Sequence, residues 1–301
     1  MTSLQDKAVV VTGAGRGIGA GIARYAAAEG AAVVVNDVDA DVAAASAQAI
    51  VAAGGRAVAH AADVSQPAAA EALIARCEEA FGRIDGLVNN AGLFDVAKFE
   101  DETAEQLQRI LAVNVVGPFN CAQAAIRRMY AQGSGAIVNM VSGAQCGIEL
   151  MTAYGASKGA LAAMTYVWAI EAAGKGVRVN GVSPRGATRM GETHNAYLQA
   201  RGRAPHGGPP PEANAPVVCF LLSDAAAAVH GQVVRIDDKS LSLMSHPAIA
   251  APVFEAESWT PEALKAVFDA RFAGAQFPLG VRAALVEPID LASVKRRWPE
   301  G

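Results

Sequence analysis

Cysteine is scarce in this chain: Cys77, Cys121, Cys146 and Cys219 are far apart, with no Cys-x-x-Cys pair and no histidine at ligand spacing. That excludes a disulfide framework and a zinc site and leaves thiols expected to be buried. A basic block is also missing, and the net charge of −4 makes nucleic acid an unsuitable partner. The longest apolar tract, residues 216–229, is interrupted by Ser223 and Asp224 and falls short of the roughly 20 residues that span a membrane. No basic-then-apolar leader precedes the first apolar run, Ala8 to Val11, so a cytoplasmic protein is expected. What is abundant is aliphatic carbon. Of the 301 residues, 52% are hydrophobic and mean hydropathy is +0.24, enough for a sizeable α/β core.

Short β-branched runs alternate with alanine-rich stretches. Strands are predicted at residues 8–12, 33–36, 57–61, 87–89, 136–141, 177–182 and 233–236. Helices are predicted at 19–28, 41–53, 67–81, 104–131 with a break near Gly117-Pro118, and 154–173. Ser65 ahead of Pro67 and Thr103 ahead of Ala104 are helix start signals. Runs apolar throughout, separated by helices, imply a parallel sheet covered on both faces. The expectation is a Rossmann-type doubly wound α/β fold of seven strands. Residues 1–238 form the predicted catalytic domain, with a substrate loop at about 185–215. Within it Arg201 to Pro211 holds four prolines and three glycines, the composition of a mobile surface loop. Residues 239–301 are expected to be an irregular extension, packed on the same domain or on a neighbouring subunit, with one helix started by Thr260, Pro261 and Glu262.

The first strand runs into Thr12-Gly13-Ala14-Gly15-Arg16-Gly17-Ile18-Gly19 and then an alanine-rich helix. Glycines here let backbone N–H groups approach a pyrophosphate at a helix N-terminus. Strand before and helix after make this a dinucleotide-binding signal rather than a bland turn. Asp37 follows the second strand, where a carboxylate accepts ribose hydroxyls and repels a 2′-phosphate. This predicts NAD over NADP, with Arg16 as the residue pointing the other way.

Tyr154 and Lys158 are four residues apart, so on a helix the phenol and the ammonium share a face. A free tyrosine ionises near ~10, too high for a base at neutral pH, and a neighbouring cation lowers it. Ser142 lies twelve residues before Tyr154, in a short loop after an apolar run. Alone, the Tyr-x-x-x-Lys pair fits a solvated lysine beside an ordinary helix tyrosine equally well.

Taken together and in order, these motifs resemble the classical short-chain dehydrogenase/reductase family over roughly residues 5–236. The match comprises the Gly loop, Asp63-Val64 after the third strand, Asn89-Asn90-Ala91-Gly92 after the fourth, Asn114 in the long helix, and Ser142 with Tyr154 and Lys158. The resemblance implies cofactor contacts from Gly13, Arg16, Gly17, Ile18, Gly19 and Asp37, from Asp63 and Val64 beside the adenine, and from Asn90, Ala91, Gly92, Pro184 and Thr188. It further implies that Tyr154 and Lys158 lie at the nicotinamide end, with Lys158 on the ribose. Ser142 would bond the substrate oxygen, Tyr154 would exchange its proton, and Asn114 would support a water-linked relay to Lys158. Read singly, Asp63 is also a helix-entry residue, Asn89 and Asn90 are turn residues, and Asn114 is a mid-helix kink or cap. No metal is implied.

Two departures stand out. The stretch from Ser142 to Tyr154 is one residue shorter than is usual in the family, and Pro184 is followed by Arg185 instead of glycine. Asn180 to Met190, Val34 to Asp37 and Trp259 to Ala263 are similar to the (3R)-hydroxyacyl-CoA dehydrogenase part of the peroxisomal multifunctional β-oxidation protein. That likeness implies NAD-dependent oxidation of a secondary alcohol, with a 3-hydroxyacyl-CoA as the first substrate. Arg185, Arg189, Arg201 and Arg203 would then either meet CoA phosphates or lie solvated. A steroid or other hydrophobic alcohol is the rival substrate, on the apolar stretch Gly147 to Met151. A catalytically silent cofactor-binding protein is the rival function. Relatives of this shape pair through their long helices, so a homo-oligomer, tetramer or dimer, is expected.

Overall fold

Each β-branched run is followed by a helix long enough to return the chain, so successive strands lie parallel. A computed structural model describes residues 3–187, 189–202, 204–205, 207–247 and 254–272. The order is β1 (Ala8–Val11), α1 (Gly17–Ala28), β2 (Ala32–Asp37), α2 (Ala40–Ala52), β3 (Arg56–Ala61), α3 (Pro67–Phe81) and β4 (Gly86–Asn89). It continues with α4 (Ala104–Leu111), α5 (Gly117–Gln132), β5 (Gly135–Met140), α6 (Thr152–Ala172), β6 (Val177–Ser183), α7 (Arg189–Gln199), α8 (Ala215–Leu222), β7 (Val233–Asp237) and β8 (Ser240–Met244). The sheet runs β3-β2-β1-β4-β5-β6-β7-β8. All pairs are parallel except β7 with β8. The doubly wound fold is as expected, but the sheet has eight strands, not seven. Asp238, at φ 54°, turns the chain back, and Ser240–Met244 pairs along β7. The Ser-Leu-Ser-Leu alternation of that strand is too short to stand out in sequence.

Alternate strand residues feed two cores. Val9, Val11, Val33, Val35, Val88 and Val138 pack with α1 and α8, and Val10, Val34, Leu87, Ile137 and Val179 pack with α3, α5 and α6. Burying each such side chain contributes roughly 1.5–3 kcal/mol. Cys77, Cys121 and Cys219 are buried in these layers, and burial pushes each thiol up to about 12. Cys146, expected to be buried with them, is exposed. No helix among the described residues is long and apolar enough to cross a membrane.

Helix starts follow local chemistry. Thr103 and Gln106 form a full capping box on α4, as the Thr103 signal predicts. At α3 the N-cap is Gln66, with Pro67 in the first turn, so Ser65 lies one residue too early. The break expected near Gly117-Pro118 is a single π turn at Ala112–Val116. Pro118 has no N–H to offer the carbonyl four residues back, that of Asn114.

The chain forms two compact units, Met1–Met244 and Ser245–Gly301. In the second, α9 (Pro261–Val267) starts at Thr260, whose hydroxyl accepts from Ala263 N at 3.2 Å, as the sequence suggests. Phe272 packs edge-on to Phe254 and Phe268 in the same unit.

Asp85 anchors the start of the central strands. Its carboxylate is 5% exposed, accepts from Ala8 N at 2.9 Å and is gripped by Arg83 at 2.7 and 2.6 Å. Asp85→Ala leaves a buried donor without its acceptor and is expected to cost about 1–3 kcal/mol. The measurement is the urea midpoint at constant m; an unshifted midpoint removes Asp85 from this role.

Candidate active site

Strand order reverses between β1 and β4, and in open α/β sheets ligands bind beyond the strand ends at that point. The Gly loop lies on one lip of this crevice. Gly13 has φ +59°, and a Cβ there would sit 2.8 Å from Ala91 Cα. At Gly19 a Cβ would meet Gly13 O at 2.3 Å and Asn90 Nδ2 at 2.4 Å, so α1 starts flush against the loop. Gly17 differs: at φ +59° a Cβ would meet nothing within 4 Å. The first turn of α1 has no acidic residue and no side-chain cap bond, so its N–H groups and the positive end of the dipole face open space. Ile18, half-buried, packs against the α1–α8 core. This cradle fits a dinucleotide pyrophosphate.

On the other lip, Thr12 Oγ1 accepts from Asn90 N and Ala91 N, both at 3.0 Å. Asn90 Nδ2 returns bonds to Thr12 O at 2.9 Å and Gly13 O at 3.0 Å. Asp37, at the end of β2, accepts from Gly15 N at 3.2 Å. Arg16 is paired with Asp39 at 3.1 Å. Asp63 accepts from Ser65 N at 3.0 Å, the helix-entry geometry of an Asx turn. Val64 is 5% exposed, and a Cβ at Gly117 would come within 2.8 Å of it. A Cβ at Gly92 would lie 3.4 Å from Asn114 Oδ1.

Ser142, Tyr154, Lys158 and Asn114 converge at the ends of β4 and β5. Asn114, fully buried in the π turn, clamps Leu93: its Oδ1 accepts from Leu93 N at 2.7 Å and its Nδ2 donates to Leu93 O at 2.9 Å. The same Nδ2 donates to Ser157 Oγ at 3.0 Å, and Ser157 Oγ donates to Tyr154 O at 2.7 Å. Lys158 donates to Met140 O at 2.7 Å, with its Nζ 5.6 Å from the Tyr154 ring centroid. Phe94 meets Tyr154 edge-on at 5.0 Å. Ser142 accepts from Ala144 N at 3.1 Å, starting the 3-10 turn Gly143–Cys146, and lies near enough to Tyr154 to lower its phenol against burial. The shortened loop therefore still delivers Ser142 to the phenol.

Electrostatics correct one expectation. Burial raises the Tyr154 phenol above its ordinary value, and the Ser142 hydrogen bond opposes this; the lowering expected from Lys158 is not among the causes. Lys158 is itself desolvated, its pKa falling from an ordinary 10.5 to about 8, and it directs its protons to Met140 O.

Pro184 is half-buried at the end of β6, and Thr188 lies outside the described residues. Arg185 reaches Asp237 Oδ1 and Gly207 O, both at 2.8 Å. Asn214 Nδ2 ties Arg185 O at 2.9 Å to Pro211 O at 3.0 Å, and Ala187 N donates to Pro209 O at 2.8 Å. The segment read as a mobile loop is thus fastened over residues 207–214, and α7 lies within residues 185–215, the stretch expected from sequence to be the substrate loop. Sequence reading missed Ser157, Asn214, Phe94 and Glu102, whose carboxylate oxygens both accept from Ala153 N at 3.2 Å. Only Ser157 carried a signal, inside the Tyr-x-x-x-Lys run.

A family model described as enoyl-(acyl carrier protein) reductase matches residues 13–238. A 2-(S)-hydroxypropyl-CoM dehydrogenase of Xanthobacter autotrophicus is 39% identical over 245 residues, 78% of this chain and 96% of that one. The chain belongs to the classical short-chain dehydrogenase/reductase family. Among solved structures, a short-chain dehydrogenase from Mycobacterium avium has TM-score 0.81 and 30% identity, covering 92% of this chain and 98% of that one. A gluconate 5-dehydrogenase from Burkholderia cenocepacia, in complex with NADP and tartrate, has TM-score 0.71 and 32% identity over 79% of this chain and 96% of its own. These likenesses make the protein a short-chain oxidoreductase.

A buried lysine with a depressed pKa costs stability at every pH where it is charged in the unfolded chain, and in full below its folded value. Here the penalty holds below about 8 and vanishes above 10.5. Lys158→Met is therefore expected to raise the Tm of the protein without added nucleotide at pH 7. The pH-dependent part is on the order of 3 kcal/mol, and the gain shrinks as pH rises from 8 past 10. An equal shift at pH 7 and pH 10.5 contradicts this.

Proposed function

We propose that this short-chain dehydrogenase/reductase is an NAD-dependent dehydrogenase interconverting a secondary alcohol and its ketone. The observation that carries the reading is the convergence of Ser142, Tyr154 and Lys158 at the end of β5, beside a pyrophosphate-shaped cradle at α1. In oxidation, Ser142 donates a hydrogen bond to the substrate oxygen and fixes the carbinol in place. Tyr154, as phenolate, takes the hydroxyl proton, and Ser142 favours that phenolate against the effect of burial. Ser157 and Asn114 hold the start of α6, so the phenol does not drift. Bound NAD supplies hydride acceptance at the carbinol carbon. In the reverse direction Tyr154 returns its proton to the ketone oxygen.

Asp37 supports NAD over NADP, being placed at the end of β2 as the ribose-binding acid requires. For the substrate, the likeness to the (3R)-hydroxyacyl-CoA dehydrogenase part of the multifunctional β-oxidation protein makes 3-hydroxyacyl-CoA the first class to test. The dehydrogenase of 2-(S)-hydroxypropyl-CoM among the relatives supports a secondary alcohol in general. Of the arginines considered for CoA phosphates, Arg185 is engaged with Asp237 and Arg201 stacks on Tyr197 at 3.6 Å; Arg203 lies outside the described residues, as does the Arg189 side chain. Those engagements, with Phe94 against Tyr154, favour a hydrophobic alcohol as the second reading. Exposed Val116, Phe119, Val167 and Ile170 along α5 and α6 support a homo-oligomer built on these helices.

The experiment is a panel of 3-hydroxyacyl-CoAs and of steroid and terpenoid alcohols with NAD, read as NADH absorbance. Turnover of the thioesters alone supports the first class, and turnover of the apolar alcohols alone replaces it. NADH binding with no turnover of any alcohol or ketone makes the protein a silent cofactor binder. On whichever substrate reacts, Tyr154→Phe should lower kcat/KM by about 10²–10⁴-fold with NADH affinity retained. Substantial residual turnover removes Tyr154 from its role.

A further inference from the structure

Arg16 is the cation of the Gly loop, and it is paired. Its Nη2 lies 3.1 Å from Asp39 Oδ2, with the two side chains 45% and 47% exposed. The other oxygen of Asp39 caps α2, accepting from Val42 N at 3.2 Å. Asp37 completes the arrangement: Oδ2 accepts from Gly15 N at 3.2 Å and Oδ1 from Asp39 N at 3.3 Å. A Cβ at Gly15 would come within 2.5 Å of Val42 Cγ1 and 2.7 Å of Asp37 Oδ2. The Gly loop is thus pressed against the start of α2, and Asp37 and Asp39 hold it by successive residues, one by backbone and one by side chain. Asp41, in the first turn of α2, adds a third carboxylate.

We propose that Asp39 is a positioning residue for cofactor choice: by holding the Arg16 guanidinium it withholds the cation a 2′-phosphate needs. An arginine accepts a phosphate through two parallel N–H bonds, and Arg16 can offer them only by leaving Asp39. An exposed pair of this kind is weak, so the restraint is a modest bias layered on Asp37. The inference rests on the NAD reading above.

Asp39→Asn separates the two jobs of the carboxylate, since asparagine caps a helix as well as aspartate but cannot pair with Arg16. Asp39→Ser, another strong cap, is the second variant should the first fold poorly. Because no alcohol is needed, the readout is nicotinamide fluorescence on titration with NADH and with NADPH at low salt. Wild type is expected to bind NADH more tightly. Asp39→Asn should tighten NADPH by about five-fold, the equivalent of about 1 kcal/mol, with little change for NADH, and adding Arg16→Ala should cancel the gain. If wild type prefers NADPH, the NAD reading itself falls. If wild type prefers NADH but both Asp39 variants keep the wild-type ratio, or if the gain survives Arg16→Ala, Asp39 does not act through Arg16 and this inference alone is overturned.

Discussion

Thr12 ties the two lips of the crevice together, and every other part of the site is positioned from that tie. Its hydroxyl donates to Val88 O at 3.3 Å while accepting from Asn90 N and Ala91 N. One side chain thus satisfies the polar backbone left where β1 and β4 stop pairing. The chain leaves these strands in opposite directions, so without the bond the Gly loop and the 90–93 segment would be independent loops. Gly13 is required because Ala91 comes so near. From Ala91 the path continues to Leu93, held at both backbone groups by Asn114, and through Ser157 to Tyr154. The phosphate cradle and the backbone of Tyr154 are therefore linked by hydrogen bonds through the short stretch from Ala91 to Leu93.

That series explains why a π turn interrupts the long helix pair. In a regular α-helix the Asn114 carbonyl would accept from the N–H of residue 118, which Pro118 lacks; with the π turn in its place, the Asn114 side-chain amide bonds Leu93 and Ser157. The cost of the irregular turn is offset by three bonds to one fully buried side chain. Lys158 poses the opposite problem: a cation held in a nearly closed site with a carbonyl as its acceptor. Its depressed pKa and the raised pKa of Tyr154 have the same origin, desolvation, so burial holds both groups toward their neutral forms.

The sheet and the approach of Ser142 and Lys158 to Tyr154 were legible because their signals are local. Apolar runs mark buried parallel strands, and the Gly loop needs glycine for contacts that sit within a few residues. Pro67 fixes the start of α3 with no help from Ser65. What stayed hidden depends on partners distant in sequence. Glu102 reaches Ala153, Asn214 reaches Arg185, and β8 exists only because β7 offers an edge. Cys146 was misjudged for the same reason, since its exposure is set by where the short turn after Ser142 places it.

Arg185 shows how a departure from the family pattern is accommodated. The turn after β6 does not depend on glycine at 185, because its backbone is held by Asn214 and by the bond from Ala187 to Pro209. Close packing falls instead on Gly208, where a Cβ would meet Gly186 C at 2.9 Å. The arginine side chain is then available to fasten Gly207 to Asp237 at the end of β7, tying the proline-rich segment to the sheet edge. The surroundings of Tyr154 rest on buried and part-buried hydrogen bonds, whereas the proline-rich segment rests on exposed ion pairs worth little individually.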